Sequence, residues 1–121
     1  VTLIAVGDMV SRAAEAAKKL KEEKISAAVI DMASVKPIDE ALVIEYAKKT
    51  GCIVTAEDHN VMGGLGGAVS EVLAKHQPVP QEMVGLQDQF GRSGSPADLA
   101  EYYGLTAEKI VEAAKKCMQR K

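Results

Sequence analysis

The chain opens on VTLIAV at 1–6, an unbroken apolar run rich in β-branched residues. Such a run predicts a strand buried on both faces. Gly7 and Asp8 end it, and from Ser11 to Glu23 the period changes. Ala13, Ala16, Ala17 and Leu20 then share one helical face, while Lys18, Lys19 and Glu22 point away. ISAAVIDM at 25–32 predicts a second buried strand. Lys36-Pro37 breaks the chain, and Asp39 is placed to cap a helix through Leu42, Val43, Tyr46 and Ala47, with Gly51 as its C′ residue. CIVTA at 52–56 predicts a third strand, and Ala68–Lys75 a helix with Val69, Val72 and Leu73 inward. After the stiff Gln77-Pro78-Val79-Pro80 connector, EMVGL at 82–86 predicts a fourth strand, weakened by Gly85. Ser95-Pro96, with Asp98 behind it, carries a helix-start signature that Gly104 closes. Thr106 caps a last helix whose stripe is Ile110, Val111, Ala114, Cys117 and Met118.

Strand and helix alternate throughout, at the spacing of βαβ units. Right-handed crossovers then put helices on both faces of the sheet. The expectation is an α/β three-layer sandwich, a mostly parallel sheet of four to five strands forming one domain over 1–121, with strand order 2-1-3-4.

Composition narrows the function classes. A net charge of −2, with both signs interspersed, lacks the basic stripe of a nucleic-acid binder. The sequence has no apolar stretch long enough for a membrane span and no secretory leader pattern. Cys52 and Cys117 are far apart, and neither belongs to a CxxC. A soluble, cytoplasmic protein with reduced cysteines is therefore expected. The chain begins VTLIAVG without Met, as an excised fragment or a processed product would.

Ligands of such sheets bind at the C-terminal strand ends, where Asp8, Asp31, Glu57, Asp58 and Asp88 fall. One reading gathers Asp8, Asp31, Glu57 and Asp58 into a small Mg-binding, receiver-like module; the other has them cap turns and helices. Strand one is followed by GDMVSR, which lacks GxGxxG, so dinucleotide binding is not supported. The glycines come later, in AEDHNVMGGLGGAV at 56–69. Gly63, Gly64, Gly66 and Gly67 lie where a helix should start, and no Lys or Ser completes a P-loop. They either cradle an anion on free N–H groups or supply positive φ and close packing. His59 stands beside Glu57 and Asp58, and a Glu–His pair can tune an imidazole for proton transfer. No serine or cysteine is placed nearby to complete a triad, so an interfacial role is the competing reading. His76 ends a helix as a surface or capping residue, and Arg92 in DQFGRSG meets an anion, a partner or a local acid. Met9, Met32, Met62 and Met83 read as gap fillers. Tyr102-Tyr103 near Phe90 forms an aromatic anchor, for the core or for another chain.

Three segments carry a family resemblance: residues 1–39 from VTLIAVGDMVSRAAEAAKKL to KPID, TAEDHNVMGGLGGAVSEVL at 55–73, and VGLQDQFGRSGSPADLAEYYGLTAEKIVEAAKK at 84–116. In this order they resemble the C-terminal domain of transketolase and its thiamine-diphosphate relatives. EDH beside GGLGGAV is closer to transketolase than to the pyruvate dehydrogenase β relatives, and deoxyxylulose-phosphate synthase is also similar. The resemblance implies a two-carbon ketol transfer between sugar phosphates, using thiamine diphosphate and Mg held by other domains. By the same resemblance this chain is a largely non-catalytic section that binds no cofactor alone and is inactive in isolation. Its partners would be the thiamine-diphosphate-binding N-terminal domains or subunit, in a homodimer or heterotetramer. Glu57, Asp58, His59, Gly63, Gly64, Gly66, Gly67 and Arg92 carry over as a turn and contact surface bordering the substrate route. Arg92 and Ser93 match the loop before the last helices, with no chemistry to transfer.

Overall fold

The computed structural model describes residues 1–32, 38–60, 64–86 and 106–121, apart from the side chains at 58–60 and 86. Within them lie strands β1 (Thr2–Ala5), β2 (Ala28–Asp31), β3 (Ile53–Asn60) and β4 (Gln81–Leu86). Helices are α1 (Met9–Glu22), α2 (Glu40–Thr50), α3 (Leu65–His76) and α4 (Ala107–Gln119). The four strands pair in the order β2-β1-β3-β4, as the sequence reading expects. All three pairings are parallel, with Ile4 opposite Ile30 and Thr55, and Ala56 opposite Val84.

Alternation along the strands divides the core into two layers. Leu3, Ala5, Val54 and Ala56 pack with Met9, Ala13, Ala16 and Leu20 of α1 and Ile110, Ala114 and Cys117 of α4. Ile4, Ile30 and Ile53 pack on the other side with Val43 and Ala47 of α2 and Leu65, Val69, Val72 and Leu73 of α3. The result is the helix–sheet–helix sandwich that the alternating pattern predicts. Alanines on α1 and α4 let both helices lie close to the sheet.

Caps act where the sequence places them. Asp39 Oδ1 accepts from Leu42 N at 3.1 Å, and Thr106 Oγ1 accepts from Lys109 N at 3.3 Å. Gly51 closes α2 in the left-handed region, at φ 75°. A Cβ there would meet only the flexible end of Lys121, at 3.0 Å. The cost of Gly51→Ala is therefore mainly backbone strain, expected as a loss of about 1–2 kcal/mol in urea unfolding.

Three expectations need correction. β2 is shorter than 25–32 and is not buried on both faces: it is an edge strand with Val29 at 38% exposure and Asp31 exposed. β3 runs past 56 to Asn60, and α3 starts at Leu65 rather than Ala68, inside the glycine run. The expectations placed on Met62, Gly63, Asp88, Phe90, Arg92, Ser93, the Ser95-Pro96 helix and the Tyr102-Tyr103 pair lie outside the described residues.

Both cysteines are free and fully buried. Cys117 Sγ donates toward Pro80 O at 3.2 Å and Ile53 O at 3.4 Å. Burial, with Cys52 alongside, pushes its pKa from 9.0 to about 11. Labelling needs the reagent to reach sulfur, and both thiols are buried, so the folded protein should resist iodoacetamide at pH 8 at both positions and label fully in denaturant. The folded state holds the Cys117 proton more tightly than the unfolded chain does. Its contribution to stability is thus whole below about pH 9 and lost as pH rises toward 11.

Candidate functional site

The acidic and glycine-rich stretch folds as the turn from β3 into α3. Ile53 packs on the α2/α3 side, so Thr55 and Glu57, two and four residues on, point the same way. This alternation carries a carboxylate under the start of α3. Glu57 is 1% exposed. Its Oε1 accepts from Leu65 N at 2.9 Å and its Oε2 from Gly66 N at 2.7 Å. The first turn of any helix leaves N–H groups unpaired. The N-cap here is Gly64, which has no side chain to serve them. Glu57 reaches across from the strand and serves them instead. Its charge also sits at the positive end of the helix dipole.

Close packing completes the turn. A Cβ on Gly66 would stand 2.9 Å from Met83 Sδ and 3.2 Å from Thr55 Oγ1. Gln81 Nε2 donates to Gly66 O at 3.1 Å and to Thr55 Oγ1 at 3.3 Å, joining β4, β3 and α3. Positive φ is not used in the described part of this turn: Gly64 is extended at φ −98°, and the described glycines with positive φ are Gly7 and Gly51. Of the two glycine readings, the steric one describes Gly66. The anion reading fails at Leu65 and Gly66, because their N–H groups already hold the carboxylate of Glu57.

The strand-end acids Asp8, Asp31 and Glu57, whose side chains are described, do not converge. Asp31 and Ala56 both align with Ala5 of β1, so β2 and β3 stand two strand spacings apart there, roughly 10 Å. Ile30 packs on the α2/α3 side, so Asp31 takes the opposite face from Glu57. Asp8 is exposed at the head of α1. No group of three metal-ligating side chains comes together among the described residues. The backbone of Asp58 and His59 continues β3, and their side chains, like Gly63 and Arg92, lie outside the described residues. Gly67 is half-buried in the first turn of α3, and His76 is exposed at its end. Met83 fills the space over Gly66, as a gap filler would.

The capping reading of the strand-end acids holds at Glu57, but its target lies eight and nine positions ahead, beyond any local capping motif. Gln81, which binds two elements from the first position of its strand, escaped the sequence reading. A signal for the Glu57 cap was present: a helix start with glycine at N-cap and an acid closing the apolar part of the preceding strand.

The arrangement is suited to holding a helix against a sheet. A diphosphate does not fit this helix end, whose first two N–H groups are occupied, so no chemical step is routed through one here.

Comparison with known proteins agrees with this geometry. Residues 1–110 match the family model for the transketolase C-terminal domain. The chain is 46% identical over its full length to a 6-deoxy-6-sulfo-D-fructose transketolase subunit of Clostridium sp. (strain MSTE9), of which it spans 38%. It is 40% identical over 94% of its length to a 1-deoxy-D-xylulose-5-phosphate synthase of Desulforudis audaxviator, of which it spans 18%. A solved structure described as a split gene transketolase, inactive beta4 tetramer, superposes with a TM-score of 0.96 at 52% identity, over 99% of this chain and 39% of that one.

Proposed function

The chain belongs to the transketolase C-terminal domain family, and from that premise we propose that it is the largely non-catalytic C-terminal section of a transketolase. The complete enzyme transfers a two-carbon ketol unit between sugar phosphates in the cytoplasm, within the pentose phosphate pathway. Its thiamine diphosphate and Mg are held by N-terminal domains or a separate N-terminal subunit. The observation that carries this reading is the inward use of Glu57, both of whose oxygens are bound by the helix that follows. The acid at the most site-like position in the chain is thereby a structural cap.

This section supports assembly, as a homodimer or as a heterotetramer with the N-terminal section. Asp58, His59, Gly63, Gly67 and Arg92 border the boundary with that partner and the route to the active centre. Mixing this chain with an N-terminal thiamine-diphosphate-binding section tests the reading. The expected result is a joint complex with ketol transfer, while this chain alone shows neither turnover nor micromolar uptake of thiamine diphosphate by calorimetry. Micromolar cofactor binding by this chain alone would overturn it. Similarity to a 1-deoxy-D-xylulose-5-phosphate synthase supports a second reading, in which the same scaffold serves that enzyme. Formation of deoxyxylulose phosphate without ketol transfer by the complex would favour it.

A further inference from the structure

At the opposite end of the sheet from Glu57, α1 ends and the chain turns toward β2. A cavity of about 490 Å³ opens there, lined by Ala17, Lys18, Lys21 and residues 24–27. This volume lies within the range of small-molecule sites. Its wall combines aliphatic side chains with three lysines.

The lysines of this chain are not distributed evenly with respect to partners. Lys19, Lys49, Lys109, Lys115 and Lys116 each stand within ion-pair distance of a carboxylate. Lys18, Lys21 and Lys24 have no such partner among the described residues; neither have Lys48, Lys75 and Lys121, but those three do not line the cavity. The neighbouring acid Glu23 is already engaged by Lys115 at 2.7 Å, and Glu22 does not line the cavity. A chain of net charge −2 thus gathers three uncompensated cations around one concavity.

Backbone conformation supplies an independent observation. Ile25 N donates to Leu20 O, and Lys24 N to Lys21 O, both at 2.9 Å. These are the two bonds of a Schellman ending, whose C′ position favours glycine. Lys24 occupies it at φ 65°, as the one non-glycine residue with positive φ among the described residues. Glycine would relieve the strain, but it would remove an ammonium from the cavity rim. Strain kept at the mouth of a cavity points to a function that uses the side chain.

We propose that this cavity binds a small phosphorylated organic molecule, with its phosphate on Lys18, Lys21 and Lys24 and its organic part on Ala17, Ile25 and Ala27. The concave shape favours a small ligand over a macromolecular surface. The aliphatic wall favours an organic phosphate over the bare ion.

The test uses the assembled protein, with adenosine 5′-monophosphate and inorganic phosphate as probes. Calorimetry gives affinity, and hydrogen-exchange mass spectrometry locates the site. Saturable nucleotide binding is expected, at least about 10-fold tighter than phosphate, with protection over 17–27. Lys21→Gln with Lys24→Gln should weaken it by 10-fold or more. Lys24→Gly separates this proposal from a merely solvated lysine: melting temperature should rise while affinity falls. Non-saturating binding, protection elsewhere, equal affinity for phosphate, or unchanged affinity in either variant would overturn the proposal.

Discussion

Replacing Glu57 by alanine should lower unfolding free energy by about 2–4 kcal/mol, among the largest effects of any single polar change in this domain. The change deletes both acceptors of Leu65 N and Gly66 N, which are buried beneath the start of α3. Each unpaired buried donor costs about 1–3 kcal/mol. The loss is larger than for an exposed N-cap, because water cannot reach the N–H groups without opening the turn. Glu57→Gln keeps one acceptor but turns an amide N–H toward a donor, so an intermediate loss is expected. Glu57→Asp keeps the charge and falls one methylene short, and it should also destabilise. Urea unfolding monitored by circular dichroism gives the ranking. A wild-type midpoint in Glu57→Ala would show that the carboxylate does not support the helix.

Gly66→Val should cost about 3 kcal/mol or more, through overpacking of a closed contact. The added Cβ meets two neighbours of different compliance. Met83 presents a flexible thioether and is half-buried, so it can swing aside. Thr55 cannot, being β-branched and itself fully buried. The remaining response is to lift α3 from the sheet, and that pulls Gly66 O away from Gln81. Gly66→Ala should show a smaller loss of about 1–2 kcal/mol, since only the Cβ is added. Gly64→Ala introduces no left-handed strain, because Gly64 is extended. Its effect should fall below that of Gly66→Ala in the same assay. The reverse ranking would mean that backbone conformation, rather than helix–sheet contact, selects glycine here.

The legible parts of this fold are those written in local chemistry. Asp39, Thr106 and Gly51 mark helix ends by their own side chains or by the lack of one, and all three act as read. The alternation of strands and helices gave the parallel sheet with helices on both faces; it does not encode which strands are neighbours, and the order β2-β1-β3-β4 matches an expectation that the pattern itself could not carry. Edge status was not legible in ISAAVIDM. An apolar run looks alike whether helices cover two faces or part of one, and Val29 is exposed on β2, the outermost strand of the described sheet. The start of α3 was read three residues late because Gly66 and Gly67 are poor helix formers. A carboxylate from another element offsets that propensity. The same fact explains the misleading look of AEDHNVMGGLGGAV. An acid next to a histidine and a glycine loop reads as a reactive cluster along the chain. In the folded protein Glu57 turns toward the loop and becomes part of its support.

Glu57 serves structure and not chemistry, with both oxygens bound at the start of α3. The most direct measurement is ketol transfer by the assembled enzyme carrying Glu57→Gln, with kcat referred to the assembled fraction, alongside unfolding of the same sample. The prediction is a lowered midpoint and less assembled enzyme, with kcat per assembled centre within about twofold of wild type. Normal stability and full assembly with kcat reduced about 100-fold or more, the scale of a lost general acid or base, would contradict it.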